Sequence, residues 1–384
     1  MPTVMPMPPE PALPASGTFF LPGPTEVRPE VLAAMTGPMM PHRGAAFEAL
    51  LARVDAQLRP VFRTARPVYV ATASATGLME AALRCAPPGA VLALVNGAFS
   101  ERFAHIAAAC GREVTRVGGE WHRAVPLEAV EAALRARRYA AVTVVHSETS
   151  TGVLTPLPPL AQLARAHGAR LLVDSVTGIG GAPVETDAWG LDFVLTGSQK
   201  ALALPPGLAF GVASAAFIRE AAATPGRGLY FDLVEYEEAI HKHQTPNTPA
   251  LSLLYAADVQ GAHIAAETIE GRWARHAAMA AQAHAWVGAL REETGAPCCV
   301  YAPAGERAPT VTTVALPPGL SGTEVVREVA RAGFVIGDGY GRLKGTTIRI
   351  GHMGDHTPAA LARCLAVVTD VVRERLRAPA RGAV

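Results

Sequence analysis

The residues best equipped for chemistry in this chain are one lysine, one aspartate, one arginine and a run of small hydroxylated residues. Lys200 follows the turn Thr196-Gly197-Ser198-Gln199 at the end of a short apolar run, Phe193 to Leu195. No other lysine occurs between Met1 and Gln199, where Arg supplies the positive charge. Its neighbours are small and uncharged, so the amine is expected to be partly desolvated, which lowers a lysine pKa and frees a nucleophilic nitrogen. Position alone is also compatible with a snorkelling surface lysine. Asp174 closes the apolar run Leu171-Leu172-Val173, at the strand end where α/β sheets place their sites. A cap on the following turn is the plainer alternative. Arg349 sits inside the apolar stretch Thr346 to Ile350, where a charge needs a carboxylate partner from the chain or from a substrate.

Thr72-Ala73-Ser74-Ala75-Thr76-Gly77 lies between a strand-like and a helix-like stretch. Small side chains let the backbone approach an anion, hydroxyls donate to it, and the following helix adds free N–H groups and its dipole. This suits a phosphate, although an ordinary helix cap explains Ser74 or Thr76 as well. The run is neither a Walker loop nor a dinucleotide fingerprint, which disfavours a nucleotide. Together, a phosphate cradle, a strand-end acid, a lysine and a buried arginine point to pyridoxal phosphate, which needs a Schiff-base lysine and an acid against its pyridine nitrogen.

Other candidates are weaker. His146 and Glu148 follow a strand-like run and belong on the same rim, in a functional or a structural role. Cys298 and Cys299 sit among apolar residues without a local His or Lys to lower a thiol pKa, and read as packing residues. His352 and His356 have HxxxH spacing, but Gly354 and the strand before them argue for a loop, so no metal is expected.

These groups must be positioned by alternating strands and helices. Val68 to Ala71, Val91 to Val95, Glu113 to Val117, Ala140 to Val145, Arg170 to Val176, Phe193 to Leu195 and Leu208 to Ala213 read as strands, most of them Val-rich and apolar throughout, as in a sheet covered on both faces. Amphipathic stretches between them indicate an α/β fold with a mainly parallel sheet. A long helical region spans Ser252 to Glu292, with a break expected at Glu270-Gly271, and a smaller α/β unit follows. The expected division is a flexible tail over 1–17, a large unit over 18–265, a small C-terminal unit over 266–377 and a tail over 378–384.

The chain has 384 residues, half of them hydrophobic and 17% charged, which describes a globular protein. Its net charge of +1 argues against a nucleic-acid partner. The five cysteines are odd in number and lack metal spacing. With a Pro-rich N-terminus that lacks a signal-peptide pattern, and no apolar run of membrane-spanning length, a cytoplasmic protein is expected.

Several stretches carry a family resemblance: Leu21-Pro22-Gly23-Pro24-Thr25, Asn96-Gly97-Ala98-Phe99, Glu148-Thr149-Ser150-Thr151-Gly152, Val173-Asp174-Ser175, Gly197-Ser198-Gln199-Lys200 and Arg349-Ile350-Gly351. From Phe19 to Arg375 the chain resembles the class V aminotransferases, in particular the alanine–glyoxylate / serine–glyoxylate (serine–pyruvate) branch. The resemblance implies a fold-type-I transferase with a mainly parallel seven-stranded sheet and a smaller C-terminal α/β domain, acting as a homodimer with shared sites. The cofactor implied is pyridoxal 5'-phosphate, with Lys200 as the Schiff-base lysine and Asp174 on the ring nitrogen. Phe99 would stack on the ring, and Ser74, Ala75, Thr76 and Gln199 would hold the phosphate. Thr149 would face the phenolic oxygen, and Thr245 and Thr248 would reach the neighbouring subunit's phosphate. Arg349 would bind the substrate carboxylate, with Gly23 nearby. Where the family motif has glycines, this chain has Ala73 and Ala75, which crowds the loop. The implied reaction is ping-pong transamination between alanine or serine and glyoxylate or pyruvate. A phosphonate-directed aminotransferase with Arg43 as an added cation, a cysteine desulfurase and a non-catalytic binding protein are the competing readings.

Overall fold

The computed structural model describes residues 16–377. The expected tails fall outside this range, apart from Ser16 and Gly17; Gly17 is tied back through its N–H to the Glu26 carboxylate at 2.9 Å.

The apolar runs form one seven-stranded sheet, in the spatial order Tyr69–Ala71, Ala209–Ala213, Phe193–Gly197, Arg170–Asp174, Ala141–Val145, Val91–Leu94 and Val114–Val117. Only Ala209–Ala213 runs antiparallel to its neighbours. Most of these strands are buried along their whole length, because helices cover both faces and leave no side for polar alternation. Helices Ala75–Cys85 and Ala98–Ala109 follow the strands Tyr69–Ala71 and Val91–Leu94. Their N-termini therefore open at the sheet edge where Arg170–Asp174 and Phe193–Gly197 end.

A second, five-stranded sheet has the order Phe19–Phe20, Val335–Asp338, Thr347–Gly351, Val311–Ala315 and Cys299–Val300. It has its own core, in which Phe20, Val287, Leu290, Ile348, Ile350, Leu361 and Val368 pack together. The N-terminal strand, expected with the large unit, pairs parallel with Val335–Asp338 instead. Two apolar residues carry too little pattern to announce their sheet, and Phe20 gains its burial only in the second core. From there the chain crosses toward Lys200 through Leu21 to Thr25, where the Thr25 N–H donates to the Gln199 carbonyl at 3.0 Å.

The long helical region is two helices, Leu251–Glu267 and Ile269–Thr294. The break falls at Thr268 (φ 65°), not at Glu270-Gly271. Its hydroxyl caps the second helix by accepting from Gly271 N at 3.1 Å, which offsets the positive φ of a β-branched residue. No helix among the described residues is long and apolar enough to cross a membrane.

Candidate functional site

At the C-terminal edge of the large sheet lies a cavity of about 410 Å³. Its walls carry Lys200, Gln199, Asp174, Ser74, Ala75, Thr76, Phe99 and Thr149, together with Gly23, Arg102 and Thr177. A larger cleft of about 720 Å³ lies beside Asp55, Arg59, Arg63 and Glu185, but those charges already pair with each other. Of these two, it is the first whose charged groups, Lys200 and Asp174, have no ion-pair partner among the described residues.

Lys200 is buried, and its Nζ donates to the Pro22 carbonyl. Burial, reinforced by the Arg349 charge and opposed by Asp174, pushes the amine down to about 8. Gly23 (φ 100°) packs so closely on the lysine that a Cβ there would overlap its Cδ, Cε and Nζ. Glycine is required here for both its backbone angle and its missing side chain.

Asp174 is also buried. Its Oδ1 accepts from Val176 N at 2.8 Å, and among the described residues no cation pairs with it. Burial pushes the carboxyl up to about 7; Glu148 adds to this, while the Val176 N–H, Lys200 and Arg102 oppose it. Beside it, His146 shares a 2.9 Å hydrogen bond with Ser175 Oγ, and burial lowers the imidazole to about 4, so it is neutral. Neither His146 nor Glu148 is in the cavity wall, and both serve its neighbours.

Ser74 is the N-cap of helix Ala75–Cys85, yet its hydroxyl makes no capping hydrogen bond. The plain capping role is thus unfilled, and hydroxyl and helix N-terminus both remain available to an anion. Helix Ala98–Ala109 is different: the Glu148 carboxylate accepts from Ser100 N at 2.9 Å and Phe99 N at 3.2 Å. A carboxylate at a helix N-terminus satisfies free donors and meets the dipole, and here it also sets the position of Phe99. The Phe99 ring stacks on Tyr340 at 5.4 Å, with the Arg102 guanidinium 4.8 Å from its centre. The Thr149 hydroxyl pairs with that of Thr177.

Arg349 reaches toward this region from the strand Thr347–Gly351 of the small sheet, although it is not part of the cavity wall itself. Nε donates to the Asp338 carbonyl at 2.8 Å and Nη1 to the Thr149 carbonyl at 3.2 Å, and the Tyr340 ring lies 5.5 Å from the guanidinium. No carboxylate among the described residues forms an ion pair with it, so the internal salt bridge that would explain its burial is missing. Neither Thr245 nor Thr248 lines the cavity of its own chain; the Thr245 hydroxyl donates to the Asn247 carbonyl at 2.7 Å, and Thr248 is exposed.

His352 Nε2 bonds Thr312 Oγ1 at 2.8 Å, and His356 stacks on Phe20, so the HxxxH pair serves the small core. None of the five free cysteines lines the cavity, and Cys299 is exposed. Sequence reasoning passed over Arg102, Thr177 and the carbonyl of Pro22. The spacing of Arg102, one helical turn beyond Phe99, could have flagged the first.

The donor set fits pyridoxal phosphate. An uncommitted hydroxyl at a helix N-terminus suits its phosphate, an unpaired buried carboxylate suits a protonated ring nitrogen, and a buried amine of lowered pKa suits its aldehyde.

Comparison with known proteins agrees. The family model described as Aminotransferase class-V matches residues 27–340. An uncharacterized aminotransferase of Methanocaldococcus jannaschii is 35% identical over 93% of this chain and 92% of its own length. The serine–glyoxylate aminotransferase of Methylorubrum extorquens is 31% identical over 92% of this chain and 90% of its own. The crystal structure of an alanine–glyoxylate aminotransferase from Nostoc sp. superposes with a TM-score of 0.87 at 30% identity, covering 96% of this chain and 98% of that one.

Proposed function

Because the chain belongs to the class V aminotransferases, we propose that it moves the amino group of alanine or serine to glyoxylate or pyruvate, with pyridoxal 5'-phosphate as cofactor. The observation that carries the reading is the set of buried charged groups, Lys200, Asp174 and Arg349, gathered in and beside one cavity without ion-pair partners among the described residues. Unpaired buried charge is costly, and each group matches one part of the cofactor or substrate.

The cofactor, when bound through Lys200, supplies the electron sink that lets a proton leave the substrate Cα. Ser74, Ala75, Thr76 and Gln199 would hold its phosphate, in a cradle that Ala73 and Ala75 narrow. Asp174, ionised, would face the ring nitrogen and keep a proton there. With its pKa pushed down to about 8, the Lys200 amine is neutral in part near physiological pH, and its Nζ would carry the proton from Cα. Arg349 binds the substrate carboxylate and so sets which Cα bond is aligned. Phe99 would pack on the ring and Thr149 would meet its phenolic oxygen.

A homodimer is part of the proposal. Neither Thr245 nor Thr248 lines the cavity of its own chain, and Met39, Leu229 and Tyr230 are exposed apolar side chains suited to a partner surface. Five unpaired thiols fit a cytoplasmic setting. A cysteine desulfurase is disfavoured because no thiol reaches the cavity, and a phosphonate enzyme because Arg43 bonds the His42 and Pro246 carbonyls outside it.

The test is a transamination screen of the cofactor-loaded protein, pairing small amino acids with glyoxylate and pyruvate. Turnover with alanine or serine and parallel-line ping-pong kinetics is expected. No turnover with either donor, alongside turnover of larger or acidic amino acids, would overturn the substrate class.

A further inference from the structure

Four successive carbonyl oxygens around the lysine, from Gln199 to Leu202, are each held by a group distant in sequence. Thr25 takes the first two, through its N–H at 3.0 Å and its hydroxyl at 3.1 Å. Arg272 donates to the Ala201 carbonyl from Nε at 3.2 Å and Nη2 at 2.6 Å, and Gln260 Nε2 donates to the Leu202 carbonyl at 3.0 Å.

Arg272 is the most unusual of these. It is 1% exposed and lies just past the Thr268 break between the two long helices. Its remaining nitrogen, Nη1, donates to Glu267 at 2.8 Å and to Asp355 at 2.9 Å. Asp355 lies in the loop after the strand that carries Arg349, and also accepts from Gln260 at 3.1 Å and Arg28 at 2.7 Å. Against the cost of burial, Arg272 and Arg28 hold the Asp355 carboxyl down to about 2. One guanidinium thus links the residue after Lys200 to the segment after Arg349, across the helix break.

We propose that Arg272 is a positioning residue for the reaction: it fixes the Lys200 backbone relative to the strand bearing Arg349, so that amine and substrate carboxylate site keep one registry. An apolar side chain of similar size could fill the same space without burying a charge. Only a guanidinium fork can hold the Ala201 carbonyl and the Asp355 carboxylate at once. A displacement of order 1 Å at reacting atoms costs about 100-fold in rate.

The inference rests on Lys200 being the amine that binds the cofactor. The experiment compares wild type, Arg272→Lys and Asp355→Asn, each saturated with pyridoxal phosphate. It measures kcat per loaded site, amino-acid KM, the pH midpoint of the visible absorbance band, and cofactor-free thermal stability. Arg272→Lys is expected to lower kcat per loaded site about tenfold to 100-fold and to shift the pH midpoint. Asp355→Asn, isosteric and one bond removed, should give smaller changes in the same direction, and it decides the matter if Arg272→Lys does not fold. Variants that lose thermal stability but keep kcat per loaded site and the pH midpoint would reduce Arg272 to a structural role and overturn the proposal. A wild-type protein without a visible band would instead refute the Lys200 assignment.

Discussion

Asp174 and Lys200 face one cavity without an ion pair between them, and burial drives both toward neutrality from opposite sides, the carboxyl up to about 7 and the amine down to about 8. The protein without cofactor therefore holds an acid and a base poised near physiological pH. A ligand that brings a ring cation and an aldehyde relieves both.

This makes Asp174→Asn a test with two readouts. A carboxyl raised from 3.8 to about 7 contributes stability that is fully present below about 3.8 and lost as pH rises through about 7. At pH 8 the cofactor-free variant should therefore be more stable than wild type, by on the order of 2–4 kcal/mol, with the difference closing toward pH 4. Turnover should fall about 100-fold or more, because the ring nitrogen would lose the carboxylate that keeps it protonated and a single preorganised electrostatic partner is worth about 10²–10³. Thermal melts across pH, together with kcat, check both; a variant less stable at pH 8 would contradict the unpaired-carboxylate reading.

Lys200→Ala should abolish the covalent adduct that borohydride traps in the cofactor-loaded protein. Mass spectrometry of the reduced protein locates the adduct, and its persistence at another residue would remove Lys200 from its role. The same variant should lift the cost of the buried ammonium in cofactor-free protein. For the wild-type lysine the sign is opposite to that of Asp174: stability is fully present above 10.5 and lost as pH falls through about 8.

Arg349→Lys keeps the charge but loses the fork that holds the Asp338 and Thr149 carbonyls and that the proposed carboxylate contact needs. The amino-acid KM should rise about tenfold or more, corresponding to roughly 1.4 kcal/mol, with a smaller change in kcat. Steady-state kinetics with alanine and serine separate the two, and an unchanged KM would make Arg349 structural.

Glu148→Gln removes the charge from the N-terminus of helix Ala98–Ala109 while preserving shape. A loss of about 1–2 kcal/mol is expected from capping and dipole effects. Weaker cofactor binding should accompany it, because Phe99 N is one of the donors released. Denaturant unfolding and a cofactor titration read these separately.

Acid should unfold the protein through its buried and half-buried imidazoles. Burial lowers His146 and His284 to about 4 and His352 to about 3, so their contribution is present above the ordinary value of 6.5 and lost as pH falls through the folded values. Circular dichroism between pH 6.5 and 3 should show cooperative loss, and His352→Asn should move it to lower pH. A midpoint unmoved in that variant would mean that His352 stays protonated or exposed.

The chain's local chemistry was legible before any tertiary contact was known. Apolar runs without alternation dictate strands covered on both faces, and the large sheet has all seven of the strands they mark. Lys200, Asp174 and the Ser74 run each follow a strand end, and parallel topology carries all such ends to one edge. What lies outside that rule depended on contacts made across the chain. Phe19–Phe20 joins the second sheet because only there is Phe20 buried, and the helix break falls at Thr268 because its hydroxyl reaches Gly271 N. Glu148 proved to be a helix cap, and Arg349 proved to lack a carboxylate partner, since pairing of a buried charge is a property of neighbours that periodicity does not encode. The grip of Arg272 on the Ala201 carbonyl spans 71 residues, and no spacing rule reaches across that separation.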